Sequence, residues 1–156
     1  MKKLLERVTI RPMSPGDLAE VLVVEKEAYT PGWSEKNFLN EMRNACSYAF
    51  VADQGRRILG YLVFWLIRDE VHLLNLTVRA DRKRRGVGKK LMAFLIHFSR
   101  RHAAKWIDLE VRRSNQAAIS MYRTFGFRER RVRRAYYHDK REDGLVMELR
   151  LERESE

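Results

Sequence analysis

The sequence predicts one mixed α/β domain, and three observations carry that prediction. Runs of β-branched and aromatic residues alternate with segments whose apolar residues recur at helical spacing. Their order, β-α-α-β-β-β-α-β-α-β-β, belongs to a mixed α/β or α+β sheet. The 156 residues are 45% hydrophobic and 10% aromatic, which supports one sizeable core but hardly two. No repeat, low-complexity tract or Pro/Gly/Ser linker divides the chain. Residues 1–151 therefore read as a single domain and 152–156 as a short charged tail.

Residues 8–11 suit a first strand. Ser14-Pro15-Gly16-Asp17 then opens a helix, with Ser as cap and Pro in the first turn, that runs to about Ala28. After a loop holding Pro31, Gly32 and Trp33, Ser34 caps a second helix with Phe38, Leu39 and Met42 on one side. Residues 48–52 and 58–67 read as a hairpin about the turn 53–56, and the unbroken apolarity of the second strand implies burial on both faces. Residues 71–78 form another strand, and 88–101 a helix with Leu91, Phe94, Leu95 and Phe98 at helical spacing. From 106 to 111 the pattern alternates, with Ile107, Leu109 and Val111 on one face and Asp108, Glu110 and Arg112 on the other. A helix over 115–125 is closed by Gly126, and 127–137 pairs with 145–151.

Composition narrows the function. The net charge of +11 favours polyanionic surroundings: ribosomes, nucleic acid or a phosphorylated small molecule. The longest apolar stretch, 61–67, is far shorter than the roughly 18 residues of a membrane helix, and Glu6 and Arg7 interrupt any signal-peptide core. A cytoplasmic protein without membrane contact is expected. The single cysteine, Cys46, forms no internal disulfide and reads as a buried apolar thiol. The four histidines show no metal-ligand spacing, so no metal is expected, and His72 reads as structural.

The informative motif is the basic turn from Arg82 to Lys90. Arg84, Arg85, Gly86, Val87, Gly88 and Lys89 join a strand to a helix, where unpaired N–H groups and the helix dipole attract phosphate. It is not a P-loop, which requires GxxxxGK followed by Ser or Thr. A surface turn whose glycines merely satisfy chain geometry has the same composition.

Val78 followed by Lys83-Arg84-Arg85-Gly86-Val87-Gly88 resembles the acetyl-CoA-binding element of the GNAT acyltransferases. The segments Leu73 to Val78, Leu109 to Asn115, Ala117 to Tyr122 and Phe125-Gly126-Phe127 extend that likeness to the branch that acetylates ribosomal-protein alanine. The Pro31-Gly32-Trp33-Ser34 loop, Phe38 and the Tyr136-Tyr137 pair complete it. Two positions depart from the pattern: Lys83 stands where Gln or Arg is usual, and Gly32 separates Pro31 from Trp33.

The resemblance implies a twisted, mostly antiparallel central sheet flanked by about four helices, with acetyl-CoA as co-substrate. It places the coenzyme on the backbone of Leu76, Thr77 and Val78, on the turn from Arg84 to Lys89, and on Asn115. Glu110 becomes the general base and Tyr122 the general acid. An α-amino group of pKa about 7.7–8.0 must lose a proton before it attacks, and a departing thiolate near 8.5 accepts one from a phenol near 10. From the residues alone, Glu110 reads rather as a solvent-facing side chain and Tyr122 as a core aromatic; the resemblance is what gives them catalytic roles. Trp33, Tyr136 and Tyr137 are candidates for the acceptor groove. The implied acceptor is a protein N-terminus, the alanine of a small-subunit ribosomal protein, with the enzyme near the ribosome; a lysine side chain, other N-termini or a small amine are alternatives. A different class is a non-catalytic RNA- or ribosome-binding module using Arg128, Arg130, Arg131, Arg133 and Arg134, although no RNP-type strand supports specific nucleic-acid recognition. Glu20, Glu25, Glu27, Glu35 and Glu41 are candidates to steer a basic acceptor toward the groove.

Overall fold

The computed structural model describes residues 7–29, 31–137 and 142–151, without the side chains of 132–137 and 142. The expected tail, 152–156, lies outside them. The sheet has seven strands: β1 Thr9–Pro12, β2 Ser47–Gln54, β3 Arg57–Ile67, β4 Glu70–Val78, β5 Trp106–Arg112, β6 Arg128–Tyr137 and β7 Glu142–Arg150, in spatial order β1-β2-β3-β4-β5-β7-β6. Four helices are described: α1 Leu18–Ala28, α2 Glu35–Arg43, α3 Val87–Arg101 and α4 Gln116–Thr124. Every neighbouring pair of strands is antiparallel except β4 and β5, which the α3 crossover makes parallel.

The elements follow their local chemistry. Ser14 precedes a 3₁₀ turn, Pro15–Asp17, so α1 starts four residues after the cap rather than directly behind it. Asp17 ties that entry down: its carboxylate accepts from the Ser14 N–H at 2.7 Å and from both terminal nitrogens of Arg11 at 2.8 and 2.9 Å. The Arg11 guanidinium, ahead of the Ser14 contacts, pulls the Asp17 pKa down to about 2. At α2 the Ser34 hydroxyl oxygen accepts from the Asn37 N–H at 3.2 Å, as the cap reading predicts.

Strand β3 is buried from Ile58 to Phe64, as its unbroken apolarity predicts, because both faces of the sheet are covered. On one face Leu59, Leu62 and Phe64 join Leu91 and Leu95 of α3 and Ile119 of α4. On the other, Ile58, Tyr61 and Val63 meet Leu18, Val21 and Val24 of α1 and Phe38 of α2. Each such buried Leu or Phe contributes roughly 1.5–3 kcal/mol. Cys46 departs from expectation. It is exposed, in the turn between α2 and β2, where its N–H donates to the Asn44 side-chain oxygen at 3.0 Å and the turn's geometry leaves the thiol outside the apolar layer.

Two irregularities in β4 open the sheet at its centre. Val63 pairs with Asn75 but Phe64 with Leu73, so Leu74 is an extra residue and β4 bulges there. Val71, Leu73, Leu76 and Val78 keep to the α3 side, while Asn75 and Thr77 are buried toward α1. The parallel ladder to β5 covers only Glu70–Leu73 against Trp106–Leu109. Beyond the bulge the two strands no longer pair.

Candidate active site

A cavity of about 220 Å³ fills the place where β4 and β5 part. Leu74, Asn75 and Leu76 of the bulged strand form one wall and Glu110 to Arg112 of β5 the facing one; α4 contributes Tyr122, preceded by its cap Asn115. Glu25 and Tyr29 of α1 and its C-cap, with Pro31, Gly32 and Trp33 of the following loop, close the remaining side. Thus Glu110, Tyr122, Leu76, Asn115 and Trp33, far apart in sequence, meet at one opening.

Each arrives for a local reason. Glu110 follows from the alternation of β5: Ile107, Leu109 and Val111 are buried in the core, so Asp108, Glu110 and Arg112 face the other way. Tyr122 is 7% exposed and packs on Phe127 with ring centroids 5.8 Å apart, so it is a core aromatic and a cavity residue at once. Asn115 caps α4, its side-chain oxygen accepting from the Ala118 N–H at 3.2 Å. Trp33 is half-buried, its ring 5.1 Å from that of Phe38.

The basic turn continues from the end of β4. Thr77 is buried, donating from its hydroxyl to the Asn75 side-chain oxygen at 2.7 Å, and Val78 is the last strand residue. Arg84 sits at φ +63° and Gly86, the N-cap of the fifteen-residue α3, at φ +87°, a conformation glycine adopts without steric cost. Alternating hand in a short loop before a helix turns successive N–H groups to one side, which suits a diphosphate. Arg84, Arg85 and Lys89 are exposed beside it, whereas Lys90 turns back and donates to the Val8 carbonyl at 2.5 Å. Val87 is buried in the core, and Gly88 brings α3 against α4: a Cβ there would stand 3.3 Å from the Met121 sulfur. This loop and the stretch of β4 that pairs with β3 but not with β5 together fit an elongated, phosphorylated carrier such as acetyl-CoA.

Behind the cavity lies a group that the charge pattern of the sequence places elsewhere. Glu25, expected among the steering acids, is 1% exposed. Its Oε1 accepts from the Tyr61 hydroxyl at 2.5 Å and the Asn75 amide at 2.9 Å, and its Oε2 from the Trp33 N–H at 2.9 Å. Burial first, then the Glu25 carboxylate, pushes the Tyr61 phenol well above its ordinary value, so it remains a donor. Tyr29 is raised too, chiefly by burial and also by Glu25, against lowering contributions from Thr77 and Arg112. Glu20 pairs with Arg79, and Glu41 accepts from the Trp65 ring N–H at 2.7 Å, leaving Glu27 and Glu35 as the exposed members of the five. Helical spacing carries the missing signal: Glu25 follows Leu18 by seven residues and Val21 by four, on the buried side of α1.

The other candidates lie elsewhere. The side chains of Tyr136 and Tyr137 fall outside the described residues. Arg128, Arg130 and Arg131 are exposed on the edge strand β6, where Arg130 pairs with Glu148. His72 sits between Asp108, at 2.6 Å, and Glu70, at 3.2 Å, at the paired end of the β4–β5 ladder. Among the described residues no three His, Cys, Asp or Glu side chains gather so as to hold a metal ion, and no helix is long and apolar enough to cross a membrane.

Comparison with known proteins agrees with this geometry. The [ribosomal protein bS18]-alanine N-acetyltransferase of Escherichia coli K12 is 34% identical over 90% of this chain and 96% of its own. The crystal structure of the ribosomal-protein-S18-alanine N-acetyltransferase from Escherichia coli superposes with a TM-score of 0.88 at 32% identity, covering 96% of this chain and 97% of that one. Ard1 from Thermoplasma volcanium gives a TM-score of 0.87 at 25% identity, covering 94% and 99%. Residues 18–127 match the acetyltransferase (GNAT) family, and with a split sheet, a phosphate-suited turn and a cavity between them, the chain belongs to that family as an acetyl-CoA-dependent N-acetyltransferase.

Proposed function

We propose that this enzyme moves acetyl from acetyl-CoA to the α-amino group of a protein N-terminus, with the N-terminal alanine of a small-subunit ribosomal protein as the acceptor. The observation that carries the reading is the meeting of Glu110 and Tyr122 in the cavity opened by the parting of β4 and β5. Relatives named for acetylating ribosomal-protein alanine support the choice of acceptor. Family membership sets aside the reading of a non-catalytic RNA-binding module.

In this reading acetyl-CoA supplies an activated thioester carbonyl. Glu110 takes the proton of the incoming ammonium, directly or through one water, and Tyr122 gives a proton to the departing sulfur. Past Leu73, the N–H groups on the β5 side of β4, which have no partner strand there, orient the carrier and the acyl oxygen, an arrangement that typically contributes a few kcal/mol when donors are preorganised. Gly86 and its neighbours hold the diphosphate through main-chain N–H groups, which is why Lys83 in place of Gln or Arg is compatible with binding.

The test is acetyl transfer to a peptide beginning with alanine, compared with an N-terminally blocked peptide containing lysine and with a small amine, the product site read by mass spectrometry. Glu110→Gln and Tyr122→Phe should each lower kcat about 100-fold or more, with acetyl-CoA affinity kept within about twofold. Full activity in both variants rejects the two roles. Preference for the lysine peptide or the small amine rejects the acceptor.

A further inference from the structure

The acceptor side of the cavity is built around one buried carboxylate. Glu25 is 1% exposed and accepts three hydrogen bonds, all from neutral groups: the Tyr61 hydroxyl, the Asn75 amide and the Trp33 main-chain N–H. Among the described residues no cation forms an ion pair with it. A carboxylate buried without a cation is costly, and charge-assisted bonds of this kind offset the cost only while all the donors stay in place.

The three donors come from three different parts of the site. Tyr61 belongs to β3, Asn75 lies immediately past the bulge of β4, and Trp33 is in the loop that closes the remaining side of the cavity that Glu110 also lines. The bulge at Leu74 is what turns Asn75 toward α1; in unbroken register its side chain would lie on the α3 face. Gly32 completes the fit from the loop side, since a Cβ there would stand 2.9 Å from Glu25 Cγ and 3.1 Å from its Oε2. This closeness gives a physical reason for the glycine inserted between Pro31 and Trp33. Trp33 also packs on buried Phe38, which in turn meets Tyr61 edge-on at 5.7 Å.

We infer that Glu25 is the positioning residue of the acceptor half of the site: its buried carboxylate clamps the Pro31–Trp33 loop to the bulged strand and so fixes the width of the cavity the amine enters. The inference rests on reading that cavity as the acceptor site. Glu25 moves no proton in the reaction. It keeps the Trp33 wall at a set distance from Glu110 and from the β5-facing edge of β4, so loosening it weakens acceptor binding while leaving the basic turn at α3 unchanged.

The experiment uses the whole chain and whichever amine the wild-type enzyme acetylates fastest among an alanine-initiated peptide, a blocked lysine peptide and a small amine. The choice of amine reports on the proposed function, and the variants report on the clamp. Glu25→Gln turns one acceptor into a donor facing donors and removes the charge; it should raise the acceptor KM about tenfold, with kcat and acetyl-CoA affinity within about twofold. Gly32→Ala pushes on the same carboxylate from the loop and should raise the acceptor KM in the wild-type background, yet add nothing in Glu25→Ala, where the obstructing atoms are gone. Amide exchange at Trp33 should quicken in Glu25→Gln, a readout that needs no turnover and stands whichever amine is accepted. If Glu25→Gln does not fold, Gly32→Ala with its own Trp33 exchange carries the test. A lower active fraction with unchanged acceptor KM and unchanged exchange overturns the inference, as does full additivity of Gly32→Ala with Glu25→Ala.

Discussion

Substitution of Asn115 separates two jobs that one side chain performs. Its side-chain oxygen accepts from the Ala118 N–H at 3.2 Å, satisfying one of the orphan donors at the start of α4, and the same residue lines the cavity. Helix α4 has only nine residues, Gln116–Thr124, so its first turn is a large part of it. Asn115→Ala removes the cap and should cost about 1 kcal/mol, or roughly 3 °C of Tm for a domain of this size. Tyr122 lies seven residues further along, about 10 Å at 1.5 Å per residue, and its packing on Phe127 shields it from fraying at the far end. The loss of cap alone should therefore leave kcat nearly unchanged. The coenzyme role assigned to Asn115 predicts in addition a severalfold rise in the KM for acetyl-CoA. Asn115→Asp discriminates between the two jobs: aspartate is as good a cap and its charge suits a helix N-terminus, so Tm should recover, but it brings a negative charge to an anionic carrier, so the KM should stay high. Thermal melts alongside steady-state kinetics at saturating acceptor read both. Recovery of KM together with Tm in Asn115→Asp would reduce the residue to a cap, and an unchanged Tm in Asn115→Ala would refute the capping argument.

The surrounding structure predicts further outcomes. Arg79 is 9% exposed, donates from Nε to the Ile58 carbonyl at 2.8 Å and pairs with Glu20, which also accepts from the Ile58 N–H at 2.7 Å; Arg79→Met should cost about 2–3 kcal/mol, seen as a fall in Tm, with Glu20→Gln costing less. The folded-state pKa of Asp17, about 2, lies below its ordinary 3.8, so the stability it contributes is complete above that value and fades as pH falls from 3.8 towards 2. Denaturant titrations of wild type and Asp17→Asn should accordingly converge across that interval, and a gap independent of pH would contradict the Arg11–Asp17 assignment.

Much of the fold can be read from the sequence because the two periodicities are strong. The alternation of β5, the helical spacing of Leu91 and Leu95, and the cap Ser34 all lie where the pattern puts them, whereas Asn115, read as the first residue of a helix, is its cap. Strand β3 betrays its double burial by having no polar break. The bulge in β4 is not legible: Leu73-Leu74-Asn75-Leu76-Thr77 reads as an ordinary strand, and only its pairing with Val63 and Phe64 reveals the extra residue. Glu25 misleads for a different reason. Its charge suggests a solvated face, and the helical spacing that buries it argues the opposite, because a carboxylate goes inside only where distant donors such as Tyr61 and Asn75 await it. Gly32, an interruption in the sequence, becomes intelligible only once its distance to Glu25 is known.

Four residue pairs are all the parallel ladder that stitches the β1–β4 half of the sheet to the β5–β7 half. A short main-chain seam thus runs beside the cleft, and a guest wedged there acts as mortar between two blocks. Occupancy and cohesion become linked quantities, so heat resistance should climb with guest concentration beyond what a superficial ligand would give, and an empty enzyme should begin to come apart along this line.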